Sequence, residues 1–411
     1  ERVERGRRRG LQTAGPYSAR ADRRDHEAGS DRRSGLSSVP FPVVFVCDHA
    51  DLGGAERNLE VLLEGMDPGW VGGIVVLEEG PFVARLRGIG YEVEVVPTGR
   101  RLGIFPAAVR LRRVLRRLGP TVIHANGVKA ALLCVLATEG WRIPIVWLKG
   151  DLAFDGWLGR WIARRCAQVV GVSRTVVETF DGMNSDRIRV VHNGVPEVPV
   201  DRDEGRRLVL ELLGCAPDMS VVVLSGRITP GKGQLELVEA APSIVSRHPG
   251  VQFAILGGED SFSAGYEQTV RSRAAELGIA GVFHFLGNRS PDEASRIVSG
   301  ADLLVAPSIR EPGGRWAEGF GLVGVEALAV GTPVVAYDSG SLREVLAPCA
   351  RIVPEGDRAA LAEAIIYVLE DPDERRRIVA CGQERVREKF SVDRAVRELT
   401  ERYVAAVGES A

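Results

Sequence analysis

Cysteine is sparse and scattered in this chain of 411 residues. Cys47, Cys134, Cys166, Cys215, Cys349 and Cys381 each stand alone in their segments. No C-x-x-C pair occurs, so the usual zinc spacings are excluded and no disulfide framework is indicated. A reducing, cytoplasmic setting is therefore the expectation. Charge of one sign is also missing. The 53 basic and 55 acidic residues leave a net charge of −2, so no overall field gathers nucleic acid. No apolar run approaches the ~20 residues that cross a bilayer. The charged N-terminus has no apolar core of signal-peptide type behind it. What is present is a soluble globular balance, 45% hydrophobic and 26% charged. The length suits two or three domains.

Residues 1–40 stand apart. They hold ten arginines and six acidic residues with almost no apolar periodicity. Such a segment buries too little surface to offset the entropy of ordering, so a disordered Arg-rich tail is expected. It begins without an initiator methionine, which suggests a processed or misassigned start. A solvated tail and a basic arm for an acidic partner are both open readings.

From "PVVFVCD" (42–48) onward, short apolar runs alternate with amphipathic stretches. "GGIVVLEEG", "YEVEVVP", "TVIHANG", "IPIVWLKG", "QVVGVS" and "IRVVHNGV" read as further strands, and a helix is expected over 155–166. Prolines and charges over 199–217 mark a linker with a helix. A second alternation follows, through "SVVVLSGR", "VQFAILGG", "VFHFLG", "DLLVAPS", "GTPVVAY" and "ARIVPEG". This predicts an α/β protein with two doubly wound parallel-sheet domains, 41–198 and 218–390. An amphipathic helix over 391–411 has no strand of its own. Open α/β sheets bind ligands outside the carboxyl ends of their strands, so two facing domains place a site in the cleft between them.

Two loops carry chemistry. "SGRITPGKG" (225–233) sets Arg227 and Lys232 beside a helix N-terminus, which suits phosphate. No Ser or Thr follows the lysine, so this is not a Walker A loop. The alternative is a surface turn with two solvated cations. "AEGFGLVGVE" (317–326) places Glu318 at a loop mouth and Glu326 about one turn into a helix. The amides of Gly319, Phe320, Gly321 and Leu322 lie between them. Open amides at a helix start favour an anion, and carboxylates accept hydrogen bonds from sugar hydroxyls. Paired carboxylates also suit a glycosidase, but a glycosidase has no use for a phosphate cradle. A chance helix glutamate is the plain alternative for Glu326. The D-x-D match "DRD" (201–203) lies in the linker and reads as a solvated charge cluster.

These strings, with "GGAER" (53–57), "VVGVS" (169–173), "VVHNGV" (190–195) and "GSLREVL" (340–346), resemble the retaining glycosyltransferases of family GT4, which have the GT-B fold. The likeness covers nearly all of residues 42–411. It implies a nucleotide-diphospho-sugar donor held mainly by the C-terminal domain, and a front-face transfer to an acceptor hydroxyl without a metal or other cofactor. In the resemblance Arg227 and Lys232 bind the diphosphate and stabilise its departure. Glu318 contacts the transferred sugar and carries a share of catalysis. Glu326 binds the ribose, and the 319–322 amides meet phosphate and sugar oxygens. Gly53 and Gly54 close over the donor, and Asn288, with Arg289 beside it, flanks the nucleobase. The 391–411 helix crosses back to the first domain.

One departure stands out. Many relatives carry a histidine in the loop that here reads "LKGDLAFDG", where Lys149 or Asp151 substitutes. His124 divides evenly between an acceptor-side role and a structural one, and His192 reads as structural. The acceptor is a glycan, a lipid-linked molecule or a small molecule. Helix 105–118, with Arg110, Arg112, Arg113, Arg116 and Arg117, is either a solvated face or a contact with an anionic inner membrane surface. The rival functions are a phosphorylase, a nucleotide-sugar epimerase, and a non-catalytic protein that binds nucleotide sugars.

Overall fold

Valine-rich runs of three to six residues build both sheets. A computed structural model describes residues 40–51, 53–98, 103–152, 156–183, 185–260, 263–311 and 317–408. The Arg-rich tail, save its last residue, lies outside the described residues. So does the first residue of the expected helix 155–166, of which Trp157–Ala163 is helical.

The first sheet contains β1 (Val43–Cys47), β2 (Val71–Val76), β3 (Val93–Val95), β4 (Val122–Asn126), β5 (Ile145–Lys149), β6 (Gln168–Gly171) and β7 (Ile188–Val190). The second contains β8 (Ser220–Ser225), β9 (Val251–Leu256), β10 (Phe283–Gly287), β11 (Leu303–Ala306), β12 (Val334–Tyr337) and β13 (Arg351–Val353). Every residue of β1, β4 and β5 is buried. Near-continuous apolar strands of this kind suit parallel sheets covered on both faces, and all the strand pairs are parallel. The strand orders are β3-β2-β1-β4-β5-β6-β7 and β10-β9-β8-β11-β12-β13. Each order reverses once, between β1 and β4 and between β8 and β11. Crevices for ligands open at the carboxyl ends of those strands.

Two expectations shift. The expected strand "IRVVHNGV" keeps only Ile188–Val190 in the sheet. Beyond it the chain departs toward the C-terminal end of the molecule, where Val195 N donates to Phe390 O at 2.7 Å. The expected helix "RTVVETFDG" is one turn, Arg174–Val177, followed by a 3₁₀ turn to Phe180.

The segment 199–217 is mostly the helix Arg202–Leu213, which packs on the helix Pro291–Gly300. Gly205 and Gly300 meet backbone to backbone there, and a Cβ on Gly205 would lie 2.4 Å from Arg296 O. Asp201 is that helix's N-cap, accepting from the amides of Asp203 (2.9 Å) and Glu204 (3.1 Å). The D-x-D cluster therefore has a capping role.

The helix Pro372–Lys389 covers Leu322–Ala329, with Gly382 seated against Leu328. The last helix, Val392–Gly408, lies on the first domain, where Gly65 faces Val392 and Val396.

The sequence expectation about disulfides is overturned. Cys349 and Cys381, 32 residues apart, are bonded. The packing of Pro372–Lys389 over the segment after helix Leu342–Leu346 brings them together, and spacing along the chain does not reveal that. With it goes the argument from cysteine usage to a reducing setting. Among the described residues no helix is long and apolar enough to cross a membrane.

Candidate active site

At the end of β8 the chain turns through Gly226 and Arg227 into the 3₁₀ turn Pro230–Lys232, then starts helix Gln234–Arg247. Gly233 makes that turn possible. Its φ is +76°, and a Cβ there would sit 1.8 Å from Pro307 O. The turn sends Lys232 back along Gly226, into the crevice between β8 and β11.

Lys232 Nζ meets Glu318 Oε2 at 2.6 Å, and Ser308 Oγ, two residues past β11, donates to the same oxygen at 3.2 Å. Both members of the ion pair are largely buried, with side-chain exposures of 15% and 12%. Burial by itself would raise the Glu318 carboxyl. The Lys232 charge and hydrogen bond, Ser308 and the Gly321 amide outweigh it and hold the carboxyl below its ordinary range. Glu318 is thus an ionised acceptor. Arg227 lies on the same loop, half-exposed, and pairs with Asp260 at 2.9 Å. Two of the expected site residues, Lys232 and Glu318, are joined directly, and Arg227 stands at the rim.

Glu326 has different company. It faces a narrow cavity of about 70 Å³ that is also lined by Arg57 of the first domain, Ser225 at the end of β8, Pro291 and Ser295. Burial raises its carboxyl, and the Arg57 charge opposes this. The two glutamates therefore do not share one environment. One is held charged against a lysine, and the other lines a separate pocket between the domains.

The loop between them is tightly fitted. A Cβ on Gly319 would lie 2.1 Å from Gly150 O, in the loop after β5 of the first domain. Phe320 is buried against His192 and Phe390, with ring centroids 6.0 and 5.5 Å away. Gly321, at φ +82°, precedes helix Leu322–Ala329 and leaves no room for a side chain beside Leu342. Gly53 precedes helix Gly54–Gly65 in extended backbone. A Cβ on Gly54 would lie 3.5 Å from Leu322 Cδ1, so the two helix starts abut across the cleft. Asn288 is exposed and packs on Gly258, while Arg289 donates to Leu286 O (2.9 Å) and Glu293 (2.7 Å).

The acceptor-side expectation for His124 is corrected. The residue is fully buried in β4, and its Nδ1 lies 2.8 Å from the Tyr403 hydroxyl of the last helix. Burial pulls its basicity down to about 3. It is a neutral core residue joining strand to helix. Lys149 is also buried, at the end of β5, and donates to the Asp151 carbonyl, with the Asp151 carboxylate at 3.4 Å. The pair sits beside the Gly150–Gly319 contact, so this loop borders the cleft.

On helix Ile104–Leu118, Arg112 donates to Ala137 O and Glu139 O and stacks, like Arg116, on Trp141. Arg117 pairs with Glu94. Arg110 and Arg113 remain exposed, with Phe105 and Val109.

Several residues at the site carried no assigned role in the sequence. Ser308 follows β11. Arg57, in "GGAER", reaches the Glu326 cavity. Its neighbour Glu56 is buried, and burial raises its carboxyl despite the amides of Glu56 and Gly53 and the charges of His49 and Arg227. Asp48, at the end of β1, accepts from the Lys129 amide (3.1 Å) and the Ala130 amide. Burial still carries it up to about 6. Ser173, Ser341 and Glu344 lie inside the quoted strings "VVGVS" and "GSLREVL". The only signal for them was membership of those strings. Among the described residues no three His, Cys, Asp or Glu side chains gather to hold a metal.

Residues 53–197 match the family described as Glycosyltransferase Family 4, and residues 214–385 match Glycosyl transferases group 1. Over 236 residues the chain is 29% identical to a GDP-mannose-dependent monoacylated alpha-(1-6)-phosphatidylinositol monomannoside mannosyltransferase of Corynebacterium glutamicum, covering 57% of this chain and 58% of that protein. Over 276 residues it is 38% identical to a phosphatidyl-myo-inositol mannosyltransferase of Mycobacterium leprae, covering 66% and 63%. The chain thus spans less than two thirds of the length of these relatives. The crystal structure of Anabaena HepE in complex with UDP and glucose aligns with 88% of this chain and 98% of its own, with a TM-score of 0.76 at 22% identity, which is a likeness of fold. With one family match on each parallel-sheet domain and the ion pair at the second domain's switch point, the chain belongs to the GT4 glycosyltransferases of GT-B fold.

Proposed function

We propose that this protein transfers a sugar from a nucleotide-diphospho-sugar to an acceptor hydroxyl with retention of anomeric configuration. The observation that carries the reading is the Lys232–Glu318 pair at the β8/β11 crevice, with Ser308 on the same carboxylate. The buried ammonium and the Arg227 guanidinium form a cationic rim suited to a diphosphate. They stabilise the charge that grows on the leaving group, which is electrostatic catalysis needing no proton from the protein. Glu318, held ionised, accepts hydroxyl protons of the sugar as hydrogen bonds. It is poorly suited to donate a proton. Glu326, with its cavity and Arg57, takes the ribose end. In a front-face transfer the departing phosphate accepts the proton of the acceptor hydroxyl, so a separate protein base is unnecessary. No metal or other cofactor enters this scheme.

Relatives named for phosphatidylinositol acceptors favour a lipid-linked or inositol-type acceptor, and a cytoplasmic setting at the inner membrane face belongs to the same proposal. Phe105 and Val109 are 74% and 49% exposed beside Arg110 and Arg113, a combination suited to an anionic interface. Cosedimentation with vesicles containing phosphatidylglycerol checks this, with Phe105→Ser expected to stay in the supernatant.

The central test is a thermal-shift screen against UDP, GDP, ADP and TDP. One of them should raise Tm by mass action, and Lys232→Ala should abolish the rise. If no nucleoside diphosphate shifts wild type, the reading fails.

A further inference from the structure

One carboxylate of the second domain grips the first. Glu344 lies in helix Leu342–Leu346. Its Oε1 accepts from the Arg174 amide at 2.8 Å and faces His192 Nε2 at 3.4 Å. Its Oε2 accepts from the Thr175 amide at 3.2 Å and the Thr175 hydroxyl at 3.3 Å. The donors all belong to the first domain. Hydrogen bonds to a carboxylate are charge-assisted and roughly twice as strong as neutral ones.

The neighbours of this grip on both sides lead to the donor loop. In the second domain, Ser341, three residues before Glu344, donates its amide (2.9 Å) and its hydroxyl (3.2 Å) to Glu318 O. Gly340, at φ +56°, makes room for that carbonyl, because a Cβ there would stand 2.2 Å from it. In the first domain, Ser173, directly before Arg174, donates its hydroxyl to Gly319 O at 2.8 Å. Consecutive carbonyls of the loop, Glu318 and Gly319, are therefore held by serines from opposite domains. Both serines are fully buried. Glu344 joins the two holders and closes a ring of hydrogen bonds and short chain segments: Glu318 O, Ser341, Glu344, Arg174–Thr175, Ser173 and Gly319 O. From behind, Arg385 donates to Glu344 O and Val345 O, each at 2.8 Å.

We propose that Glu344 is a positioning residue for the transfer reaction, locking the two domains closed and thereby fixing the loop that carries Glu318. Both carboxylate oxygens of Glu344 are taken up by donors of the first domain, so its part is to act through the loop. The inference rests on the proposed transfer for its kinetic consequence and stands apart from it for its structural one. Without the grip, Ser173 and Ser341 no longer hold adjacent carbonyls at a fixed separation, and Glu318 drifts from Lys232. Misplacement of a catalytic group by about 1 Å costs up to roughly 100-fold in rate. Arg227 and Lys232 stay on their own turn of the second domain, so the loss falls more on turnover than on nucleotide affinity.

The test compares wild type, Glu344→Ala, Glu344→Gln and Ser173→Ala, using the nucleotide sugar of the base that the screen selects. Glu344→Ala should lower kcat by roughly 10- to 100-fold, a larger change than in the KM for the donor or the Kd for the nucleoside diphosphate, which shift only as far as the Arg57 wall of the Glu326 pocket moves off. Glu344→Gln keeps the shape and one neutral acceptor oxygen, so it should recover part of the rate. Adding Ser173→Ala to Glu344→Ala should cost little more, because both open the same ring. Small-angle X-ray scattering without ligand should show a larger radius of gyration for Glu344→Ala. Circular dichroism and melting identify any variant that has merely failed to fold, and Glu344→Gln then carries the comparison. An unchanged kcat together with an unchanged scattering profile overturns the proposal. If wild type turns over no nucleotide sugar, the transfer reading falls, and scattering alone still decides the lock.

Discussion

At the residue scale the informative pair is Lys232 and Glu318. Each is charged, and each has little water around it. Removing one partner of such a pair leaves the other buried and uncompensated, which costs roughly 3 kcal/mol or more. Lys232→Met should therefore lower stability by about that amount, and abolish turnover with it. The double variant Lys232→Met/Glu318→Gln removes both charges and should regain most of the stability while remaining inactive. Urea melts of the set decide this. Equal stabilities for Lys232→Met and the double variant would mean that the pair is not coupled. Glu318 and Lys232 were legible in the sequence because glycine-rich turns at strand ends advertise them. The environment of Glu326 was not. A helix pattern gives a face, but Arg57 and Ser225, which define that pocket, come from a different domain and a distant strand.

At the element scale, composition misled where packing decides. Prolines and charges made 199–217 look like a linker, yet its helix is bolted to Pro291–Gly300 through two glycines with no side chain between them. Only the three-dimensional neighbour explains Gly205. The disulfide is a similar case. Cys349 and Cys381 tie the segment after helix Leu342–Leu346 to the helix Pro372–Lys389, which also supplies Arg385 behind Glu344. Alkylation in denaturant without reductant should therefore label only Cys47, Cys134, Cys166 and Cys215, and reductant should expose two more thiols. Closing a 32-residue separation stabilises by roughly 3–4 kcal/mol in the chain-entropy account. Cys349→Ser should lower the melting temperature correspondingly, and reductant should then have no further effect on it. Six reactive thiols before reduction would show that the bond is absent in solution.

At the scale of the whole molecule, the last helix binds itself to the first sheet, and His124 sits at that junction. The alternation of strands and helices made both domains legible, but it could not show that a strand histidine meets a tyrosine 279 residues later. This junction has a pH signature. His124 titrates near 6.5 when unfolded and is pulled down to about 3 by burial in the fold. Between those values the unfolded chain binds the extra proton, so acid favours unfolding. The contribution is complete above pH 6.5 and falls by about 1.4 kcal/mol per unit below it, or about 2 kcal/mol by pH 5. Asp48 works in the opposite direction. Its carboxyl is raised from 3.8 to about 6, so the fold binds that proton more tightly and gains stability as pH falls from 6 toward 3.8. The wild-type curve alone therefore understates the histidine. The decisive quantity is the difference between wild type and His124→Phe/Tyr403→Phe, which deletes the titrating ring without stranding the tyrosine hydroxyl. Wild type should lose about 2 kcal/mol relative to this variant between pH 8 and pH 5. Tyr403→Phe alone should keep the full pH dependence while lowering stability at every pH. Parallel curves for wild type and the double variant would place His124 in contact with water, and would remove it from the junction that holds the C-terminal helix to the first domain.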